Sequence, residues 1–183
     1  DMIATGTGIV GMLWETSPSC TEVETHVLDW LVDMLGMPEK FKSKDIGGGV
    51  IQDTASSSTL IALMGALEYA SKGEFNANNT NSNLSSYVSS HSHSSIEKAV
   101  KVAGLGKKSL RVTDVDENFA MIPSKLEKQI KDDIKNNVKP TFVCASVGTT
   151  NTTAIDPIEE IGKICKKYDI WLHIDAAMAG PAT

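Results

Sequence analysis

Trp171-Leu172-His173-Ile174-Asp175-Ala176-Ala177-Met178-Ala179-Gly180 reads as a short strand that ends on a carboxylate and runs into a small-residue loop. Ile170, Leu172 and Ile174 alternate with Trp171, His173 and Asp175, so the two sets face opposite sides. Apolar groups on both flanks suggest a strand buried inside a parallel sheet. A carboxylate at the end of such a strand is costly unless a cation or several donors meet it. Asp175 therefore either caps the next turn or faces a bound cation.

Upstream, Thr141-Phe142-Val143-Cys144-Ala145-Ser146-Val147 is a near-continuous apolar run, the mark of a central parallel strand. It ends in the hydroxyl-rich turn Gly148-Thr149-Thr150-Asn151-Thr152-Thr153. Asp156, Pro157 and Glu159 then predict a helix start, in which cap, first-turn proline and acid agree. Further back, Tyr87–Ser90 and Ser109–Val112 read as strands. Ser94 with Glu97, and Ser124 with Glu127, stand at capping-box spacing and open two helices, the second introduced by Pro123. Residues 19–36 predict another helix. There Thr21 and Glu24 form the cap, and Val23, Val27, Leu28, Leu31, Met34 and Leu35 recur at helical spacing. Gly47-Gly48-Gly49 leads through Val50-Ile51 to small hydroxyl residues that open a helix from Thr59 to Ala70. Phe75–Ser86 is an Asn/Ser tract and reads as an exposed loop. Strands thus alternate with helices, which predicts an α/β fold: a mainly parallel sheet flanked by helices on both faces.

Composition excludes several classes. The 183 residues carry a formal net charge of -6 and a single arginine, Arg111, which argues against nucleic acid or an anionic membrane as partner. No apolar run approaches the roughly 20 residues a membrane span requires. Cys20, Cys144 and Cys165 are widely spaced and in no metal pattern, as expected for free thiols in a reducing cytoplasm. His91 and His93 could share one face of a strand, but no third ligand lies near them in sequence, so no metal is expected. Gly6-Thr7-Gly8-Ile9-Val10-Gly11 has the spacing of a dinucleotide-binding turn, without the preceding strand or following helix that the fingerprint needs. A nicotinamide-dinucleotide-binding oxidoreductase domain is the alternative that this stretch alone suggests.

In open parallel sheets, ligands bind beyond the carboxyl ends of the strands. Ser56, His93, Thr150 and Asp175 are all expected there. Serines at a helix start serve either as plain caps or, with the free N–H groups, as a phosphate site. One cation suits Asp175: the protonated ring nitrogen of pyridoxal 5'-phosphate (PLP), which an acidic partner keeps protonated.

The stretches Ser17–Glu22, Gly47–Ala55, His93–Ala99, Gly148–Thr150 and Ile170–Gly180 closely resemble, in family order, the group II PLP-dependent decarboxylases, and among them the aromatic-L-amino-acid decarboxylases. The resemblance implies the large domain of a fold type I PLP enzyme, incomplete within residues 1–183. It implies that Thr54, Ala55 and Ser56 hold the cofactor phosphate. His93 would stack on the ring and help protonate the product, Thr150 would support the cofactor, Asp175 would pair with the ring nitrogen, and Ala177 would pack on the ring face. His173 shares the face of Asp175 and would support it. Val10 and Met12 would serve a substrate pocket shared across a homodimer. The reaction implied is loss of carbon dioxide from an amino-acid substrate, with glutamate decarboxylation or aldehyde synthesis as alternatives on the same fold. The family's cofactor-binding lysine is expected beyond Thr183, since Lys98, Lys101, Lys107 and Lys108 lie on or just after a helix away from the site. The chain alone is therefore expected to be inactive and to bind cofactor weakly at best.

Overall fold

A computed structural model describes residues 2–78 and 83–182. The chain divides into two units, Asp1–Gln52 and Asp53–Thr183. The second is built on four strands: β1 (Leu84–Ser89), β2 (Leu110–Thr113), β3 (Lys139–Ser146) and β4 (Trp171–Asp175). They form one sheet in the order β2-β1-β3-β4, and every pairing is parallel. Parallel neighbours need crossovers, and helices supply them. Helices α3 (Ala55–Ser71) and α5 (Ser95–Val102) cover one face: Leu63, Leu67, Ile96 and Val100 bury against Leu84, Val88, Phe142 and Cys144. Helices α6 (Pro123–Lys135) and α7 (Ile158–Tyr168) cover the other: Leu126, Ile130 and Ile161 pack on Tyr87, Val143 and Ala145. The α/β architecture expected from the alternation of elements is the one observed.

Strand β3 is central and buried almost throughout, as its apolar run predicted. Strand β4 borders the sheet formed by the described residues, with Trp171 38% and Ile174 43% exposed there, where the apolar flanks predicted a neighbour on each side. Its alternation holds. The Trp171 ring meets Tyr69 of α3 edge-on at 6.2 Å, and Leu172 packs on the α6/α7 side. The Asn/Ser tract is shorter than expected. A short helix α4 (Glu74–Asn78) opens it and β1 takes Leu84, Ser85 and Ser86, all buried; residues 79–82 lie outside the described residues.

The helix starts lie near their expected places, but the capping bonds differ. Helix α3 starts at Ala55, four residues before the expected Thr59, because Thr54 and Ser57 form a reciprocal capping box. Ser94 holds the N-cap position of α5, as expected, but its side chain makes no cap bond; Ser124 lies inside α6, which opens with Pro123 after Ile122. Glu97 pairs instead with Lys101 and Lys107, and Glu127 with Lys167 and Tyr168. Asp156 does not cap α7. It is 1% exposed and accepts the N–H groups of Met121 (2.7 Å) and Ser146 (2.7 Å), pinning the end of β3 to the loop before α6.

A second buried carboxylate ties the opposite end of the sheet. The Tyr87 hydroxyl donates to Asp133 Oδ2 at 2.6 Å and lies 2.8 Å from Ser85 Oγ. Arg111 Nε lies 3.1 and 3.0 Å from the two Asp133 oxygens, and Nη2 donates to Oδ1 at 2.8 Å. The lone arginine of the chain thus joins β2, β1 and α6. Burial raises the Asp133 carboxyl, but hydrogen bonds from Arg111, Tyr87 and Ser85 and the arginine charge outweigh it and leave the group below its ordinary value.

In the first unit, helix α1 (Met2–Thr7) precedes α2 (Pro18–Met34). Gly6 lies within α1, and among the described residues no strand precedes it, unlike the strand-to-helix turn of a dinucleotide site. Helix α2 begins at Pro18, so Thr21 and Glu24 fall within it, and Glu24 Oε1 accepts the Ile51 N–H at 2.6 Å. Gly47 has no alternative: a Cβ there would meet the Lys40 carbonyl and Phe41 Cα at 2.4 Å. The helical spacing of apolar residues in α2 is real, yet Val32 is its one buried residue; Val23 (63%), Trp30 (57%) and Met34 (74%) are exposed.

Candidate active site

Three strand ends and one helix start converge in the second unit. Asp175 is the last residue of β4, Gly148–Thr150 follow β3, His93 lies in the turn after β1, and Ala55 is the first residue of α3. They line one cavity of about 160 Å³, with Ser95, Ser146, Ala177 and Met178 completing its walls. Of the residues singled out from the sequence, Ala55, His93, Thr150, Asp175 and Ala177 are brought together here. Thr54 stands one residue away, its hydroxyl engaged by the Ser57 N–H at 3.2 Å. Ser56 is exposed and does not line the cavity. Val10 (48%) and Met12 (80%) are exposed residues of the first unit.

Each side chain has a local reason for its place. Asp175 is half-buried rather than buried, because β4 runs along the sheet edge and its end opens on the cavity. One of its oxygens, Oδ1, accepts the Ala177 N–H at 3.2 Å. His173, two residues back on the same face, stacks on Phe142 with ring centroids 5.6 Å apart. Burial holds its ring below the ordinary histidine value, against the pull of the Asp175 charge. His93 Nδ1 accepts the Ser95 N–H at 3.2 Å, which puts the proton of the neutral ring on Nε2. His91 does not join it; its ring meets Phe119 edge-on at 4.9 Å. Among the described residues no group of three His, Cys, Asp or Glu side chains is placed to hold a metal ion.

The loop after β3 is held tightly. Gly148 adopts φ +83°, and a Cβ there would stand 2.9 Å from Ala179 Cβ. Thr149 is buried, with its hydroxyl 2.6 Å from Thr152 Oγ1 and accepting the Ala154 N–H at 3.1 Å. Sequence reasoning selected Thr150 and passed over Thr149, Ser146 and Ser95. The apolar run absorbed Ser146, and Ser95 resembled a residue of the helix it opens. Ser146 carries the sharper signal: it is 3% exposed, lines the cavity, and its hydroxyl has no hydrogen-bond partner.

These groups fit PLP. Asp175 offers a carboxylate to a protonated ring nitrogen, and His93 offers an aromatic face. The start of α3 leaves the Ala55 and Ser56 N–H groups without a partner within the helix, an arrangement suited to phosphate. One charge opposes, the exposed Asp53 carboxylate, which receives the Ser57 hydroxyl. The buried Ser146 hydroxyl, without a partner among the described residues, adds a polar group to the cavity wall.

Comparison with known proteins agrees. Residues 1–183 match the pyridoxal-dependent decarboxylase conserved domain. The chain is 42% identical to phenylacetaldehyde synthase of Arabidopsis thaliana, covering all of this chain and 37% of that protein. It is 43% identical to histidine decarboxylase of Homo sapiens, covering all of this chain and 28% of that protein. The crystal structure of Oryza sativa TDC with PLP and tryptamine superposes with a TM-score of 0.91 at 33% identity, over 100% of this chain and 38% of that one. The chain thus spans roughly a third of the length of the proteins it matches. The convergence of strand ends on Asp175, the helix start at Ala55 and the match across the whole sequence lead to one conclusion: the chain belongs to the pyridoxal-dependent decarboxylase family, on the fold type I scaffold.

Proposed function

We propose that this chain is the cofactor-binding part of a PLP-dependent L-amino-acid decarboxylase that acts on aromatic amino acids and releases carbon dioxide and an amine. The single observation that carries the proposal is the meeting of Asp175, His93 and the α3 start in one cavity. When bound, PLP supplies an electron sink for the charge left on the substrate as carbon dioxide departs. In this reading Asp175 holds a proton on the ring nitrogen, because a carboxylate in a partly dry pocket favours the charged partner. His93 lies against the ring and excludes water from one side. With Nδ1 occupied by the Ser95 N–H, its Nε2–H is the proton available for delivery to product. Ala55 and Ser56 bind phosphate through backbone N–H groups, with Thr54 fixing the helix start. Thr150 and Ala177 position the ring edge and face.

Small-molecule sites usually enclose about 300–1,000 Å³. The cavity of about 160 Å³ therefore suits one wall and floor of a site, the remainder supplied by other parts of the protein and by a second subunit. A homodimer is supported by the exposed apolar side chains Met12, Trp14, Val23 and Trp30 of the first unit, which a second subunit would cover. The dispersed cysteines support a cytoplasmic location. Among the described residues no helix is long and apolar enough to cross a membrane.

The test uses the complete protein. Carbon dioxide release in a single turnover, with tyrosine, tryptophan, histidine and glutamate offered in parallel, identifies the substrate class; an aldehyde in place of the amine identifies the synthase reaction that the Arabidopsis relative's name makes the second reading. Asp175→Ala is expected to bind cofactor more weakly and, once saturated with it, to lose at least about 10²-fold in rate, the scale of a lost electrostatic stabiliser. A near-normal rate in that variant refutes the assigned role.

A further inference from the structure

We propose that Ser146 is a positioning residue for Asp175: its hydroxyl donates to the Asp175 carboxylate and holds it toward the ring nitrogen of the cofactor. The inference rests on the reading that Asp175 faces that nitrogen. Ser146 and Asp175 are register partners across the parallel β3/β4 pair. Partners in a parallel pair project to the same side of the sheet, about 4.8 Å apart at the backbone. Both line the cavity. A serine hydroxyl and an aspartate carboxylate set side by side at that spacing need a side-chain rotation, and no backbone movement, to bond.

The backbone around Ser146 is fixed on every side. Its N–H donates to Asp156 Oδ2 at 2.7 Å, and its carbonyl accepts the Asp156 N–H at 2.9 Å. The next N–H, of Val147, donates to the Asp175 carbonyl at 2.9 Å. The freedom left to Ser146 is the rotation of its side chain. That hydroxyl is buried and has no partner among the described residues, a costly state that a donor bond to a neighbouring acceptor relieves. Thr149 Oγ1 serves Thr152 and Ala154, and His93 Nδ1 serves Ser95. Asp175 has a bond to one oxygen, from the Ala177 N–H at the long distance of 3.2 Å. A carboxylate secured by a single weak donor swings; a second donor from the neighbouring strand fixes the rotamer that presents an oxygen to the ring.

The experiment measures cofactor affinity rather than turnover. The apoenzyme of the complete protein, as wild type, Ser146→Ala, Ser146→Val and Ser146→Thr, is titrated with PLP and with its deaza analogue, in which carbon replaces the ring nitrogen. Thr and Val have nearly the same shape and differ in the hydroxyl, so they separate packing from hydrogen bonding. The expected result is that Ala and Val weaken PLP binding about tenfold, the equivalent of one hydrogen bond to a charged group. Thr restores it, and all four proteins bind the deaza analogue equally within twofold. Equal affinities for PLP in all four overturn the inference, as does a parallel loss for both ligands, which signals a packing role. If Asp175→Ala also leaves PLP affinity unchanged and the wild type does not distinguish the two ligands, the assignment of Asp175 fails and the role of Ser146 fails with it. If instead Asp175→Ala weakens PLP alone while the Ser146 variants do not, the proposed function stands and the Ser146 inference falls.

Discussion

Removing the Tyr87 hydroxyl tests how much of this fold depends on one buried polar knot. Tyr87→Phe keeps the ring, which is fully buried, and deletes the donor that reaches Asp133 at 2.6 Å and neighbours Ser85 at 2.8 Å. A hydrogen bond to a charged group contributes about 1.5–3 kcal/mol, and no cavity opens, so a loss of about 2 kcal/mol is expected. Arg111→Met strips Asp133 of its guanidinium. Breaking a buried pair costs about 3–5 kcal/mol and an exposed one about 0–1. With the arginine side chain 30% and the aspartate 10% exposed, an intermediate loss of about 2 kcal/mol is expected. The double variant should lose about 3 kcal/mol, less than additive, because both donors serve one carboxylate that can accept a proton once either is gone. Urea unfolding of the complete protein, followed by circular dichroism, gives the midpoint shifts. The pH dependence has a defined sign. Asp133 has a folded value below its ordinary 3.8, so its contribution is present above that pH and fades as pH falls through the folded value. The gap between wild type and Arg111→Met must therefore shrink on acidification below about pH 4. Losses within 0.5 kcal/mol for both single variants, or a gap that stays constant from pH 7 to 3, would refute the account.

Two further outcomes follow from the site. Gly148→Ala places a methyl 2.9 Å from Ala179 Cβ on a backbone at φ +83°, and should cost about 1–3 kcal/mol; Ala179→Gly should relieve the contact but not the backbone strain, and full rescue of the unfolding midpoint would contradict this. Burial pushes the Cys165 thiol up to about 12 and holds Cys144 far above its ordinary value, with the charges of Asp175 and Asp156 adding to the effect on Cys144. In the folded complete protein an aromatic disulfide reagent at pH 8 should modify half-buried Cys20 and spare both others until urea is added, and peptide mapping that finds rapid native modification of Cys144 would count against the packing described.

The sheet was legible because its signals are local. Thr141–Val147 is apolar enough to be central in any context, and Ala99 and Val100 mark an inward helix face by spacing alone. Helix caps were less legible, and for one reason. Thr21/Glu24, Ser94/Glu97 and Ser124/Glu127 all have capping-box spacing, yet each glutamate is taken elsewhere: Glu24 by the Ile51 N–H, Glu97 by two lysines, Glu127 by Lys167 and Tyr168. The box that does form, Thr54 with Ser57, uses a serine where the pattern asks for an acid or amide. Asp156 looked like a cap because Pro157 follows it, but two buried N–H groups from distant segments compete better for a carboxylate than a solvated helix end does. Of the site, the charged and aromatic members could be read from residue type. Ser146 could not, since its importance comes from its register neighbour across the strands and from a buried hydroxyl left without a partner among the described residues.

The strand order has a consequence for how the molecule comes into being. No two neighbours in the sheet can be joined by a hairpin, and β3 must slot between β1 and β4, so β1 waits beside β2 with an open flank until later chain arrives. The cavity draws on the tips of three of these strands together with a helix from before the first of them, and no half-assembled sheet contains it. Among the described residues the cavity is complete only once β4 has joined the sheet, so binding there stabilises the assembled sheet and not its precursors.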